Sequence, residues 1–475
     1  MPDTYNPLTE SIADELRAIV GSANVVFGDA EKLEPYSHDE VPDRRYAHMP
    51  EAIVRPDSAQ QIAAIMQLAN RCRVPVTPRG AGSGLSGGAV PLHGGIVLLT
   101  DRMNRIIEID RENMMVVVEP GVVTSAINDA VMPLGLFYAG YPMSLETCFI
   151  GGNVAENAGG GKAVKYGVTA RYVTGIEMVT PTGQIVTLGG KLIKDVTGYN
   201  MIGLMIGSEG TLGVFTKITL KLLPVPKASV DLLCLFPTAA AAIAAVPAIM
   251  TGSGIVPAAI EFMDQQSIRM ACRYLNETLP YEDAGAMLLI TLDGPDEQQV
   301  TRDYESIGKF CQAAGASEVF VADNATTSKR VWNVRKNIPE AYATISTHQA
   351  NEDLVVPIAS IPQLLEGMGR IAAAHGVHIP AYGHAGDGNL HTRIVKGADM
   401  PLDQWQTLLP KVLHELYELT ASLGGRISGE HGIGHKRKQY MPIFVSVEYL
   451  DMLRSIKKAL DPNNILNPGK IFDVA

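Results

Sequence analysis

The sequence predicts an α+β protein of two to four domains, and three observations carry that reading. A chain of 475 residues is too long for one ordinary core. Its patterning changes near residue 226, where the proline pair in "LLPVP" ends a first unit. Beyond that point strand and helix signals follow the order β-α-β-β-α-β, the split βαβ or ferredoxin-like arrangement.

Taken in order, residues 8–21 have helical periodicity. "AIVRPDSAQQIAAIMQLANRCRVPVTPRG" reads as a strand, a helix started at Asp57 and Ser58, and a second strand. "GIVLL", "RIIEID" and "MMVVVEPG" are short strands, and 123–132 is helical. Residues 140–168 read as a glycine-, asparagine- and alanine-rich coil. Strand signals return in "GIEMVTP", "IVTLGG" and "GVFTKITLKLLPVP". The second unit opens with strand "VDLLCLF", helix 237–250, strand "GIVPAAIEF" and a helical excursion at 264–277. Strand "AMLLITL", helix 296–314 and strand "EVFVAD" follow. Further helices are expected near 326–344, 360–375, 402–423 and 446–460.

Composition excludes several classes. A net charge of -11 argues against nucleic acid as partner. The five cysteines are scattered and none forms a CxxC, so no cluster or zinc-thiolate framework is expected. The N-terminus lacks a signal-peptide pattern, and the most apolar window is broken by proline and glycine. A cytoplasmic protein without a transmembrane segment is expected.

"PRGAGSGLSGGAV" contains a literal G-x-G-x-x-G from Gly82 to Gly87. A dinucleotide fingerprint needs that loop to open into a helix, and here "AVPLHGGIVLLT" follows instead. What remains is an anion nest, in which successive glycines let backbone N–H groups converge on phosphate oxygens, with Arg79 adding charge. The alternative is a flexible surface loop. The second rich stretch, "GGNVAENAGGGKAVKYG", adds Asn153 and Asn157. Two such stretches suit a large ligand approached by backbone, and a dinucleotide fits better than a mononucleotide.

"GHAGDGNLH", residues 383–391, holds two histidines. On a helix His384 and His391 would sit about 10 Å apart. An Asp-Gly pair is a two-residue hairpin signal. With Asp387-Gly388 as the turn, His384 pairs directly with His391, Cβ atoms about 4.5–5.5 Å apart on one face. That is close enough to share a metal ion; the alternative is two ordinary core or surface imidazoles. "ISGEHGIG" offers Glu430 and His431 as a third ligand. Neighbours on extended backbone point to opposite faces, so one could ligate while the other faces substrate.

"PRGAGSGLSGG", "IGGNVAENAGG", "LIKDVTGYN", "GSEGTLGV", "GHAGDGNLH", "ISGEHGIG" and "DPNNILNPGK" occur in this order over roughly residues 45–473. By these motifs the chain resembles the FAD-linked oxidases of the vanillyl-alcohol oxidase/PCMH type, in the D-lactate dehydrogenase and glycolate oxidase flavoprotein-subunit branch. The resemblance implies a PCMH-type FAD-binding domain of two α/β subdomains at 48–226, after an N-terminal helical segment (1–47). A ferredoxin-like substrate or cap domain at 227–425 would follow, then a C-terminal helical segment (426–475) returning to the flavin. It implies a pyrophosphate cradle of Arg79, Gly80, Ala81, Gly82, Ser83, Gly84, Ser86, Gly87 and Gly88. The flavin would be lined by Pro142, Ser144, Thr147, Gly151, Gly152, Asn153, Ala158, Gly159 and Gly167, with Glu209, Gly210, Val214 and Asn467 nearby. The first glycine loop has no histidine to tether the flavin, so FAD is expected to bind non-covalently.

The same resemblance implies that His384, His391 and Glu430 hold a divalent metal, with His431 as the base beside the substrate. Two imidazoles and a carboxylate suit zinc, manganese or iron. A 2-hydroxy acid would chelate the metal, His431 would take the hydroxyl proton, and a hydride would pass to flavin N5. Arg335 matches the carboxylate-binding arginine; the alternative is a solvated helix arginine. Members of the 2-hydroxyglutarate type carry asparagine and lysine where this chain has Arg393 and Asn351. D-lactate or glycolate is therefore the favoured acid, and Arg393 could contact the carboxylate of a different or longer diacid. Electrons would leave to an iron–sulfur subunit, an electron-transferring flavoprotein or a quinone, with oxygen as the alternative. Self-association into a homo-oligomer is left open. Two competing readings are a non-redox enzyme of the ether-lipid synthase branch and a silent flavoprotein subunit.

Overall fold

A computed structural model describes residues 5–279, 284–346 and 348–474. The chain divides into two compact units. Residues 1–159, 168–224 and 430–475 make the first, and residues 160–167 and 225–429 make the second. The division after 224 falls at the proline pair. The departure of 160–167 from its neighbours has no signal in the sequence.

In the first unit, helix Glu10–Val20 starts where the Thr9 side chain accepts from the Ile12 N–H. Its apolar stripe of Ala13, Leu16 and Val20 packs into one core with Ile62, Ile65, Met66 and Ala69 of helix Ala59–Cys72. Beside these helices lies a four-stranded sheet in the order Val25–Phe27, Ala52–Val54, Ile96–Leu99, Val76–Arg79. Its last three strands are parallel, and "AIV" and "IVLL" are wholly buried, the continuous apolar run that such strands need. A second, five-stranded antiparallel sheet runs Ile106–Asp110, Met115–Val118, Val214–Lys221, Val173–Val179, Ile185–Gly189.

The expected coil at 140–168 contains two helices, Ile150–Glu156 and Ala163–Tyr166. The first lacks an amphipathic signature because its small residues serve close packing. A Cβ on Gly151 would stand 2.6 Å from the Pro120 Cβ. Asn157 ends that helix in the left-handed conformation, φ 56°.

The C-terminal stretch returns to the first unit's sheet. The Val76 N–H donates to the Ile465 carbonyl at 2.8 Å, and the Asn467 N–H to the Val76 carbonyl at 2.7 Å.

The second unit is built on a seven-stranded antiparallel sheet. Glu318–Ala322, Ala228–Phe236, Ala286–Gly294 and Ala259–Asp264 lie in that order, the fourth, first, third and second of the predicted ferredoxin-like set. The sheet then continues through Ala381–His384 and Asn389–Val395, the strands of the expected hairpin, and Gln349–Val355; that they extend this sheet had no signal in the sequence. "QANEDLV" carries polar residues at buried positions, which hides the last strand from an apolar-run search. Helices Gln265–Leu275, Ala325–Lys336 and Ile338–Ala343 share a core with one face, through Ile268, Val334, Ala341, Met263 and Tyr382. The 160–167 strap is tied to this unit by Asp293. Lys165 Nζ donates to the Asp293 carbonyl at 2.7 Å, and the Tyr166 hydroxyl to Asp293 Oδ2 at 2.9 Å.

Candidate functional site

The first glycine loop leaves the buried strand Val76–Arg79 and is free of regular structure from Gly80 to Gly88. Gly82 and Gly87 sit at φ +78° and +76°, conformations closed to most other residues. Among the described residues, the backbone N–H groups of Ala81 through Ser86 have no hydrogen-bond partner. A run of consecutive open amides is the donor set that a pyrophosphate requires, so these residues fit FAD. Two of the expected cradle residues have partners within the chain. The Gly87 N–H donates to Asp39 Oδ2 at 2.7 Å. Arg79 turns beneath the loop, where its Nη1 donates to the His38 carbonyl at 2.8 Å and its guanidinium lies 5.6 Å over the Tyr36 ring.

Several residues expected at the flavin make hydrogen bonds or packing contacts within the first unit. Asn153 is buried and its Nδ2 donates to Thr124 Oγ1 at 2.7 Å. Asn467 Nδ2 donates to the carbonyls of Gly88 (3.0 Å) and Glu209 (2.7 Å), joining the C-terminal stretch to the glycine loop. Glu209 accepts from the Ile433 N–H at 2.8 Å and the Gly434 N–H at 2.6 Å, fixing the turn that follows His431. Val214 is a core residue of its strand, and Gly210 (φ +66°) packs against Pro78 and Asn467. Pro142, Ser144 and Thr147 form a turn in which the Thr147 N–H donates to the Ser144 carbonyl at 2.9 Å. The Ala158 carbonyl accepts from Thr169 Oγ1 at 2.8 Å, and Gly167 takes φ +77°. The helix containing Gly151 and Gly152 begins at Ile150, and a Cβ on Gly152 would meet open space.

Buried charges that the sequence reading missed lie under the loop. Burial, with Glu209 and Asp39 nearby, pushes the Glu156 carboxyl well above its ordinary range. Burial also lowers the Lys470 ammonium to about 7, and its Nζ donates to the Val90 carbonyl at 2.6 Å.

In the second unit the histidines meet, although not as a direct pair. His384 is opposite Asn389, and His391 is opposite Tyr382, so the connection is the four-residue loop Ala385–Gly388 rather than a two-residue Asp-Gly turn. Flanking strands explain the shift. The Gly386 N–H donates to the Ile260 carbonyl and the Gly388 carbonyl accepts from the Val356 N–H, each at 3.1 Å. Those groups are lost to the hairpin's own ladder. A shift of two residues preserves the face, so the imidazoles remain together as diagonal neighbours.

His384 Nε2 and His391 Nε2 lie 3.2 Å apart. That spacing suits adjacent ligands of one ion with metal–nitrogen distances of about 2.0–2.1 Å. His384 Nδ1 is 2.6 Å from Glu261 Oε1, which directs the opposite ring nitrogen toward His391. Glu261 Oε2 accepts from Arg335 Nε at 2.7 Å. Burial alone would raise the Glu261 carboxyl, yet His384 and Arg335 hold it below its ordinary value. Arg335 is therefore no solvated helix arginine. It is 3% exposed, it lies 5.2 Å over the Tyr382 ring, and its Nη2 is buried with no hydrogen-bond partner. Asp353 stands 3.5 Å from His391 Nδ1 and accepts from Asn389 Nδ2 (2.8 Å), Ser428 Oγ (2.7 Å) and the Gly429 N–H (3.0 Å). Acids next to apolar strand residues, Glu261 alone in "AAIEFM" and Asp353 beside Glu352 in "EDLVV", were the available signal.

Glu430 and His431 begin the first unit's last segment, directly after Gly429. They do not alternate as on a strand. The backbone bends there, and His431 Nε2 lies 3.8 Å from Glu430 Oε1. A Cβ on Gly159 would be 3.1 Å from Glu430 Oε2, which sets that carboxylate beside one of the residues expected at the flavin.

An open-amide glycine loop and a carboxylate-braced histidine pair on an α+β framework define a cofactor-dependent oxidoreductase. Residues 50–189 match the FAD binding domain family, and residues 225–471 match the family of FAD linked oxidases, C-terminal domain. The chain belongs to the FAD-linked oxidase family. It is 38% identical over 465 residues to glycolate oxidase subunit GlcD of Bacillus subtilis (strain 168), covering 98% of this chain and 97% of that one. It is 36% identical to D-lactate dehydrogenase of Anaerostipes hadrus, covering 98% of both chains. At 30% it matches D-2-hydroxyglutarate dehydrogenase of Stutzerimonas stutzeri (strain A1501), over 97% of this chain and 99% of that one. Its fold is that of p-cresol methylhydroxylase, with TM-score 0.80 at 19% identity, covering 98% of this chain and 97% of the other. Among the described residues no helix is long and apolar enough to cross a membrane.

Proposed function

We propose that this protein is an FAD- and divalent-metal-dependent dehydrogenase that oxidises a D-2-hydroxy acid to the 2-oxo acid and passes the electrons to a partner. The observation that carries the reading is the His384–His391 pair, Nε2 atoms 3.2 Å apart, with Glu261 braced against His384 and Arg335. His384, His391 and Glu430 would hold zinc, manganese or iron. Glu430 follows Gly429, whose N–H is bound by the Asp353 carboxylate beside His391. Ala81 through Ser86 would take the FAD pyrophosphate through their open N–H groups.

Bound FAD supplies the two-electron acceptor at N5, and the bound metal supplies a Lewis acid that lowers the substrate hydroxyl pKa. The chain's own residues do the rest. Arg335, fixed through Nε, offers its unpaired Nη2 to the substrate carboxylate. Glu261 holds His384 in one tautomer, and His431 accepts the hydroxyl proton. D-lactate or glycolate is favoured by the names of the relatives at 36–38% identity. The D-2-hydroxyglutarate relative keeps a diacid as the second reading. The acceptor would be an iron–sulfur subunit, an electron-transferring flavoprotein or a quinone, met in the cytoplasm or at a membrane surface through that partner.

Anaerobic titration of the metal-replete holoenzyme with D-lactate, glycolate, D-2-hydroxyglutarate and D-malate tests the reading. Bleaching of the flavin absorbance by one of them is expected. No bleaching by any would overturn it in favour of a non-redox or silent flavoprotein.

A further inference from the structure

The strap Gly160–Gly167 belongs to the second unit, although the chain on either side of it belongs to the first. One end is anchored to Asp293 by Lys165 and Tyr166. Its middle lies on the histidine hairpin, where a Cβ on Gly386 would stand 3.1 Å from Val164 Cγ2. Towards the other end comes Gly161, which is buried. A Cβ there would stand 2.9 Å from Glu261 Oε1 and 3.5 Å from Trp332 Cη2.

Gly161 does not take the positive φ that favours glycine, so its backbone conformation does not call for one. What leaves no room for a side chain is the carboxylate beneath it. The end of a glutamate side chain would ordinarily swing aside, but this one is pinned at both oxygens. Glu261 is wholly buried, with Oε1 2.6 Å from His384 Nδ1 and Oε2 accepting from Arg335 Nε at 2.7 Å. Displacing Oε1 lengthens and bends the bond that turns His384 Nε2 toward His391, and hydrogen bonds weaken steeply with such distortion. Lifting the strap instead parts Val164 from Gly386 or Lys165 and Tyr166 from Asp293. Gly159 repeats the relation within the first unit. It too has no positive φ, and its Cβ would stand 3.1 Å from Glu430 Oε2.

We propose that Gly161 is a positioning residue of the metal centre: its bare Cα seats the Glu261 carboxylate, which in turn holds the His384 imidazole in its ligating orientation. The proposal deepens the reading given above and rests on it. The strap is then a wall of the metal centre, and Gly161 acts on the metal only through Glu261 and His384.

The test is metal affinity, read by anaerobic titration of metal-stripped, FAD-loaded protein with zinc, manganese and ferrous iron. Wild type, Gly161→Ala, Glu261→Gln and the double variant are compared. Gly161→Ala should weaken metal binding about 10-fold or more at unchanged flavin stoichiometry. Because it acts through Glu261, it should add less than about 2-fold to the loss already present in Glu261→Gln. Wild-type affinity in Gly161→Ala would overturn the seat while leaving the proposed function standing. So would a loss that recurs in full on the Glu261→Gln background, which a merely structural role predicts. Binding of none of the three ions by the wild type would remove the proposed function itself. Should either variant fail to fold, the wild type carries the test, since coupling between strap and metal is reciprocal. Tryptic cleavage after Lys162 should slow several-fold when metal is restored to the stripped protein, and equal rates would overturn the seat.

Discussion

Glu261 and His384 are register partners on adjacent antiparallel strands, and Oε1 of one lies 2.6 Å from Nδ1 of the other. This carboxylate also holds Arg335, so a single acid orients both the proposed metal ligand and the proposed carboxylate clamp. Glu261→Gln should weaken metal retention by about 10–100-fold. It should also cost about 3–5 kcal/mol of stability, because a buried guanidinium loses its anion. Metal content after dialysis and thermal unfolding check the two effects; full metal with an unchanged Tm would contradict them.

His391→Ala removes one nitrogen of the 3.2 Å pair while leaving the first unit's glycine loop intact. Flavin absorbance should stay stoichiometric while reduction by any hydroxy acid falls by at least about 10³-fold. Unchanged reduction would sink the metal assignment.

Gly82→Ala tests the nest. The residue sits at φ +78°, and an added Cβ would stand 2.1 Å from Arg79 Nη2. The left-handed backbone alone costs roughly 1–2 kcal/mol for an L-residue, and Arg79 must leave the His38 carbonyl. FAD affinity should drop about 10-fold or more by fluorescence titration, and wild-type affinity would argue that the loop makes no cradle.

Glu156 carries the pH prediction. Burial, Glu209 and Asp39 raise its folded carboxyl pKa, so the fold binds a proton that the unfolded chain releases. Its contribution is whole below about pH 4.5 and is lost as pH rises toward the folded value. Glu156→Gln, permanently neutral, should gain about 2–4 °C in Tm at pH 8 and almost nothing at pH 4.5. A uniform shift at both pH values would rule out titration as the cause.

Asp293 anchors the 160–167 strap through Lys165 and Tyr166. Asp293→Asn should free it, and tryptic cleavage after Lys162 or Lys165 should accelerate several-fold under native conditions, read by mass spectrometry. Unaltered cleavage would show that the strap is held by other contacts.

Long periodic elements were legible in the sequence. Helix Ala59–Cys72 and the ferredoxin-like strand order follow from hydrophobic period and turn chemistry. The histidine pair was legible as well, but for an incomplete reason. Local turn propensity placed His384 opposite His391, whereas Ile260 and Val356 drew Gly386 and Gly388 into longer-range bonds and lengthened the loop. Helix Ile150–Glu156 escaped because glycine and alanine at packed positions leave no amphipathic trace. Glu261 escaped as one acid in an apolar strand and Asp353 as one of two acids in a polar-looking strand, and only the sheet register sets them beside the histidines.

The path of the chain through its two units constrains how it can be made. The first unit lacks its final segment until residues 430–475 leave the ribosome, long after its glycine loop has been synthesised. Asn467, which ties that segment to Gly88, and Glu209, which accepts from the segment's Ile433 and Gly434 N–H groups, can act only once the segment has been made. The second unit, its strap included, is complete before then. Pulse-labelled nascent chains should therefore acquire protease resistance from the middle of the sequence outward, with flavin capture following synthesis of residues 430–475.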